Sequence, residues 1–148
     1  MTRNDYIFAG LLGFAYVLLI GLLSGITATW GDFISSDDFW GKSNAHAVAY
    51  MQIYHSMGVV LAALPVGLAI SWRYRNQWLR PAMIVSLIGS SYMLYDQLRG
   101  AWYLSQHDVA PTVYHVASGV IDVVKVAVIL LIVAAALGQV FVGKQAQT

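Results

Sequence analysis

The residues whose chemistry stands out in this chain are ionisable side chains inside long apolar stretches. His115, Asp122 and Lys125 lie in the last such stretch, and Asp96 and Arg99 lie in the one before it. At about 100° per residue, the spacing of His115 and Asp122 places both on one face of a helix. Charged groups in apolar surroundings are costly, so each needs a partner or a chemical purpose.

Histidines occupy the same kind of surroundings, namely His46, His55 and His115. The chain has no cysteine, which excludes thiolate metal sites and iron–sulfur clusters. Imidazole is a common axial ligand of haem iron, and either one or two histidines can serve. Two axial histidines make an electron carrier, whereas a single one leaves an open Lewis-acid position. The three histidines are therefore candidate ligands of a haem.

The elements that must position these groups are four apolar runs, predicted as helices over residues 6–30, 44–72, 80–104 and 111–141. The chain of 148 residues is 59% hydrophobic and 10% charged, whereas soluble domains carry about 25% charged residues. Each run reaches the roughly 20 residues that a helix needs to cross a bilayer. We therefore expect one all-α domain over residues 1–148, an integral membrane four-helix bundle.

The distribution of basic residues predicts the orientation of this bundle. Arg73, Arg75 and Arg80 crowd the connection between the second and third runs. Because basic residues concentrate in cytoplasmic loops, both termini are expected on the cytoplasmic side of a bacterial-type inner membrane. The net charge of +1 provides no basic surface for nucleic acid.

In this topology the polar side chains converge on the half of the bundle away from the termini. His46, Tyr103 and His115 are expected near the outer boundary, counting about 1.5 Å per helical residue. His55 and Asp122 are expected two to three turns deeper, level with Asp96 on the third helix. The remainder of the helices is almost wholly Val, Leu, Ile and Ala.

The buried charges also have a purely structural interpretation. Asp96–Arg99 and Asp122–Lys125 are spaced as (i, i+3) pairs that neutralise one another. Such pairs can hold membrane helices together. Alternatively, Arg99, Asp122 and Lys125 form a buried proton relay with His55.

Several segments of the chain resemble the styrene oxide isomerase family, small four-helix membrane proteins that bind haem b. The first helix begins Phe8-Ala9-Gly10 and exits at Trp30-Gly31-Asp32-Phe33, similar to an AG start and a GGF-like exit. Asn44-Ala45-His46 resembles the Ala-His pair of the family, and Leu64-Pro65 resembles a Leu-Pro later in the same helix. Asp96 with Gly100-Ala101-Trp102-Tyr103-Leu104 looks like the Asp and Gly-Phe-Tyr-Leu segment of the family.

The resemblance implies a function and a set of site residues. His46 would be the axial ligand of haem b, and ferric haem would act as a Lewis acid on an epoxide oxygen. The epoxide of a small apolar substrate would open to a carbonyl without net redox change. Gln52 would hydrogen-bond the oxygen, Tyr103 would orient the substrate and Asp96 would position the others. The family is trimeric, which implies a homo-oligomer here.

The chain departs from the family pattern in ways that keep two other functions open. Gln52 stands where the family has Asn, the Asp96-to-Tyr103 spacing is one residue shorter, and the hairpin between Pro65 and Asp96 is longer. One alternative is a b-type cytochrome subunit that transfers electrons through a bis-His haem. The other is a haem-free transporter or proton relay protein.

Overall fold

The computed structural model describes residues 1–29, 44–74, 77–106 and 113–143, without the side chains of residues 44–48, 114–115 and 141–143. The described residues form four helices, which are α1 (Arg3–Thr29), α2 (Asn44–Tyr74), α3 (Leu79–Gln106) and α4 (Val113–Gly143). The four helices predicted from the sequence are confirmed, with bounds that differ by at most a few residues. The protein is an all-α bundle.

Three of the described helices are long and apolar enough to cross a membrane, namely α1, the Ala49–Tyr74 part of α2 and the Val116–Val140 part of α4. α3 has the length of a span, at 28 residues, but the hydropathy criterion is not met there. Its second half carries Asp96, Gln97 and Arg99 among apolar residues. The fold is therefore an integral membrane bundle. One of its helices, α3, has several polar residues in its C-terminal half.

The four helices surround a common axis, with α2 and α3 on opposite corners. α2 packs against α1 and α4, α3 packs against the same two helices, and α2 and α3 barely touch. We call the half that contains the N-terminal end of α1 and the C-terminal end of α4 the proximal half. The distal half is made of the C-terminal parts of α1 and α3 and the N-terminal parts of α2 and α4.

Apolar packing fills the middle and the proximal half of the bundle. The fully buried side chains there include Tyr16 on α1, Val59 and Ile70 on α2, and Val126 and Leu130 on α4. The outer surface is also apolar, with Leu11, Phe14, Leu18 and Leu22 of α1 all more than half exposed. An apolar outer surface suits a lipid environment, and water-soluble monomers rarely expose such a large apolar surface.

Hydroxyl side chains cross-link the helices through backbone carbonyls. Ser71 Oγ donates to the carbonyl of Ala134 at 3.0 Å, and Ser90 Oγ donates to the carbonyl of Val123 at 2.8 Å. Thr27 Oγ1 donates to the carbonyl of Tyr54 at 2.8 Å, joining α1 to α2. Small polar residues of this kind commonly join membrane helices, because the hydrophobic effect does not drive helices together within lipid.

The two described prolines both lie within helices. Pro81 is in the first turn of α3, where a missing N–H leaves no hydrogen bond unmade. Pro65 is inside α2, which continues through it to Tyr74.

Candidate functional site

The centre of the candidate site is Asp122, a carboxylate on α4 that is only 7% exposed. His55 Nδ1 lies 2.9 Å from Asp122 Oδ1, and Lys125 Nζ lies 2.6 Å from the same oxygen. Gln97 Nε2 donates to the other oxygen, Oδ2, at 3.2 Å. Three donors from α2, α3 and α4 thus converge on one buried carboxylate.

Lys125 also connects Asp122 to two further polar side chains through hydrogen bonds. Lys125 Nζ donates to Gln52 Oε1 at 2.5 Å. Gln52 Nε2 in turn donates to Ser118 Oγ in a short hydrogen bond. We call this set the buried network, whose members are Gln52, His55, Gln97, Ser118, Asp122 and Lys125.

The hydrogen-bond chemistry of the buried network determines the tautomer of His55. An ionised carboxylate only accepts hydrogen bonds, so Nδ1 of His55 carries the proton that it donates to Asp122. The charges of Asp122 and Lys125 cancel, so a neutral imidazole at His55 leaves the network neutral. Its Nε2 then carries a lone pair, and Nε2 has no hydrogen-bond partner among the described residues.

This lone pair belongs to a residue in the wall of a large cavity. The cavity measures about 1090 Å³, and all four helices line it in the distal half of the bundle. Sites for small molecules and cofactors have volumes of roughly 300–1,000 Å³ and mostly apolar walls with a few polar groups. Here the walls are largely aliphatic, with polar side chains from Ser24, Gln52, Tyr54, His55, Asp96, Gln97, Tyr103, Ser118 and Asp122.

The cavity is closed toward the proximal half. The Tyr16 hydroxyl crosses the bundle axis from α1 and donates to the carbonyl of Val126 at 2.9 Å, one turn beyond Asp122. Met93, a buried residue of α3, lies in the cavity wall. Beyond the Tyr16 hydrogen bond lie buried core residues such as Leu130 and Ile70. The cavity, which we call the chamber, therefore ends at this level, with the buried network in its wall and with exposed residues such as Leu98 and Val120 along its sides.

Most of the residues singled out from the sequence lie around this one chamber. Gln52, His55, Asp96, Tyr103 and Asp122 all line it. Lys125 is not a lining residue, but it binds both Asp122 and Gln52 from within the bundle. Arg99 is exposed on α3 and is not among the lining residues. The structure therefore brings five of these residues to one place and leaves Arg99 outside it.

Of the two ion pairs expected from (i, i+3) spacing, one forms. Asp122 and Lys125 are paired, as predicted. Among the described side chains, Asp96 and Arg99 are not paired, so that prediction was wrong. Both lie on an exposed face of α3. Asp96 lines the cavity whereas Arg99 does not, so the two side chains lie in different surroundings.

Gln97 is the site residue that the sequence did not reveal. It follows Met93, a buried residue, by four positions, so both share the face of α3 that packs inward. Asp96 and Tyr103, which are seven residues apart, share an adjacent face of the same helix. The signal that identifies Gln97 is the spacing of Ala82, Val85, Gly89 and Met93, which marks the packed face of α3 and continues to Gln97.

Two of the candidate haem ligands cannot be placed in the site. His46 belongs to α2 and His115 to α4, but their side chains lie outside the described residues. The described residue with an imidazole at the chamber is His55.

The one described imidazole at the chamber could serve as a protein ligand of a haem but could not hold a bare metal ion by itself. No group of three or more His, Asp or Glu side chains lies close enough to hold a metal ion among the described residues. A haem supplies four nitrogen ligands itself and needs only one or two from the protein. An imidazole that donates its other N–H to a carboxylate is the usual arrangement of a metal-binding histidine.

Comparison with known proteins provides no relative from which a role can be transferred. The chain matches no protein-family model, no curated protein and no solved structure at a significant level.

Proposed function

We propose that this protein is a membrane-embedded haem b protein that isomerises epoxides, with the chamber as the site for haem and substrate. The observation that carries the proposal is His55, because its Nδ1 is held by Asp122 while its Nε2 has no partner among the described residues. An imidazole in the wall of a chamber of about 1090 Å³ could bind the iron of a haem held there.

The proposed axial ligand is therefore His55. The resemblance to the isomerase family implies His46 instead, and the bis-His alternative involves His115. The geometry favours His55 as the ligand, because its hydrogen bond to the Asp122 carboxylate fixes both the tautomer and the orientation of the imidazole ring. Neither alternative has comparable support among the described side chains.

The chemistry that ferric haem supplies when bound is that of a Lewis acid for the epoxide oxygen. In the overall reaction one C–O bond opens, a hydride shifts to the neighbouring carbon and a carbonyl forms, so no oxidant or reductant is consumed. Apolar walls suit a small apolar epoxide and exclude the water that would hydrolyse it.

Three side chains of the chamber are proposed to handle the substrate. Tyr103 and Asp96 lie in the wall on α3, about two turns apart, and they orient the substrate from one side. Gln52 lies on α2, with its amide held between Lys125 and Ser118. Because these two contacts fix the orientation of the amide group, we propose that its N–H groups are oriented for a hydrogen bond to the substrate oxygen.

A haem-free proton relay is the second candidate, and the continuity of the buried network favours it. His55, Asp122, Lys125, Gln52 and Ser118 form an unbroken series of hydrogen bonds. Such a series can carry a proton between two sides of the chamber. The packed core beyond Tyr16 argues against a path through the whole bundle, so the isomerase remains the first proposal.

We also propose an orientation and an assembly. The arginines at the proximal end, Arg73 and Arg80, favour both termini on the cytoplasmic side of a bacterial-type inner membrane. In the described structure Arg73 lies 3.6 Å from Asp5 and its guanidinium stacks over the ring of Phe8 at 4.5 Å. A homotrimer is proposed from the family resemblance.

Turnover of an aryl epoxide by the haem-loaded protein tests the proposed function. We expect styrene oxide to be converted to the aldehyde without added oxidant or reductant. Tyr103→Phe should lower kcat/KM by about 10- to 100-fold, because orientation of the reacting groups accounts for effects of this size. Tyr95→Phe is the matched control, since Tyr95 is exposed on the same helix and does not line the chamber.

Two results would count against this function. One is haem-loaded protein that leaves epoxides unchanged. The other is an equal effect of the Tyr103 and Tyr95 substitutions, which would place the reaction outside the chamber.

A further inference from the structure

Lys125 shares one oxygen of Asp122 with His55. Lys125 Nζ lies 2.6 Å from Asp122 Oδ1, and His55 Nδ1 lies 2.9 Å from the same atom. The side chains of Lys125 and Asp122 are 11% and 10% exposed. Such a pair is little screened by water, so the two donors compete directly for the electron density of one atom.

The strength of the hydrogen bond at Nδ1 controls how good a ligand Nε2 is. A carboxylate that accepts strongly from Nδ1 makes the imidazole more basic, and a weakened acceptor makes it less so. A cation on the same oxygen weakens the acceptor. Ligand basicity in turn sets the electron density on a bound iron and therefore its reduction potential.

We propose that Lys125 is a positioning residue that acts on His55 through the shared Asp122 oxygen, making the Asp122–His55 hydrogen bond weaker than it would be without the lysine. This inference rests on the proposed function, because it takes His55 as the haem ligand. An imidazole with a weaker hydrogen bond at Nδ1 would donate less electron density to a bound ferric iron, which would suit Lewis-acid chemistry. Removal of the lysine charge strengthens the Asp122–His55 bond.

The test compares two variants of haem-loaded protein with the wild type. Lys125→Met keeps the length of the side chain and removes its charge, whereas Lys125→Arg keeps a cation beside Asp122. We expect Lys125→Met to lower the midpoint potential by about 59 mV, which is a tenfold change in the one-electron equilibrium. The Lys125→Arg potential should stay close to that of the wild type.

Loss of a nearby positive charge lowers a potential through space as well, so a double-mutant cycle separates the two causes. In an Asp122→Asn background the shared ionised oxygen is gone. If Lys125 acts through Asp122, Lys125→Met causes little further change in that background. An equal drop in both backgrounds would overturn the inference.

A measurement on haem-free protein keeps this inference distinguishable from the proposed function. Nitrogen and proton NMR of the His55 ring should show a protonated Nδ1, with its proton resonance moving downfield in Lys125→Met as the bond to Asp122 strengthens. An unshifted resonance would overturn the tuning role. A shifted resonance in protein that never binds haem would leave the tuning intact and refute the proposed function.

Discussion

Asp122 and Lys125 are charged residues in the interior of a bundle whose surroundings are almost entirely aliphatic. A buried ion pair of this kind often contributes little net stability, because both charges lose their hydration. Removal of one partner is different, since the other charge is then buried without compensation. The pairing of Asp122 Oδ1 with Lys125 Nζ at 2.6 Å therefore makes each residue dependent on the other.

Asp122→Ala should be strongly destabilising for this reason. We expect a loss of about 3–5 kcal/mol, the usual cost of breaking one side of a buried pair. The double variant Asp122→Leu with Lys125→Leu removes both charges and should recover most of that loss. Reversible unfolding of the detergent-solubilised protein measures both free energies, and a double variant as unstable as the single one would contradict this explanation.

The sequence identified the chamber residues better than it identified their contacts. Costly groups at helical spacing were enough to single out His55, Asp96 and Asp122, because such groups are rare in apolar helices. The bond from Lys125 to Gln52 joins different helices, so it depends on their relative rotation. No spacing within one helix encodes that rotation.

At the scale of the helices, close approach between α1 and α2 fixes the wall of the chamber. A Cβ atom at Gly58 would lie 2.5 Å from Ser24 Cα, closer than real carbon atoms approach. Backbone at Ser24 has no room to move aside as a flexible side chain would. Small residues at helix crossings allow this approach in membrane proteins.

Gly58→Ala should therefore destabilise the bundle. We expect a cost of about 1–3 kcal/mol, typical of overpacking a filled interior. Gly21→Ala is the matched control, because Gly21 is also helical and a Cβ there meets no atom within 4 Å. The comparison is made from the thermal midpoints of the two purified variants. Equal midpoints would show that α1 and α2 do not meet at Gly58.

The helices themselves were predictable because their apolar runs are long and continuous. The predicted 44–72 and 80–104 became Asn44–Tyr74 and Leu79–Gln106, since helix ends depend on local hydrogen bonds rather than on hydropathy. The order of the helices around the axis was not predictable. It depends on which small and hydroxyl residues interlock, such as Ser71 with the carbonyl of Ala134.

At the scale of the whole molecule, the two halves of the bundle differ along its long axis. The distal half contains the chamber, and the proximal half contains a packed core and the Arg73–Asp5 pair. If basic residues face the cytoplasm as proposed, the chamber is in the outer half of the membrane. Apolar substrate would then enter from the outer side or from the lipid.

Single-cysteine labelling tests this orientation cleanly, because the natural chain has no cysteine. Gln106→Cys places a thiol at the distal end of α3, and Gln77→Cys places one just before α3 at the proximal end. In intact bacterial cells, a maleimide that cannot cross membranes should label the first variant and spare the second. The reverse pattern would invert the proposed topology.

The most direct test of the central claim is the absorbance spectrum of haem-loaded protein, oxidised and then reduced with dithionite. The account predicts a Soret band that His46→Ala retains and His55→Gly loses, with added imidazole restoring the band in His55→Gly because it replaces the missing ring. A preparation that stays colourless after haem is added, or a Soret band that survives in His55→Gly without imidazole, would contradict it.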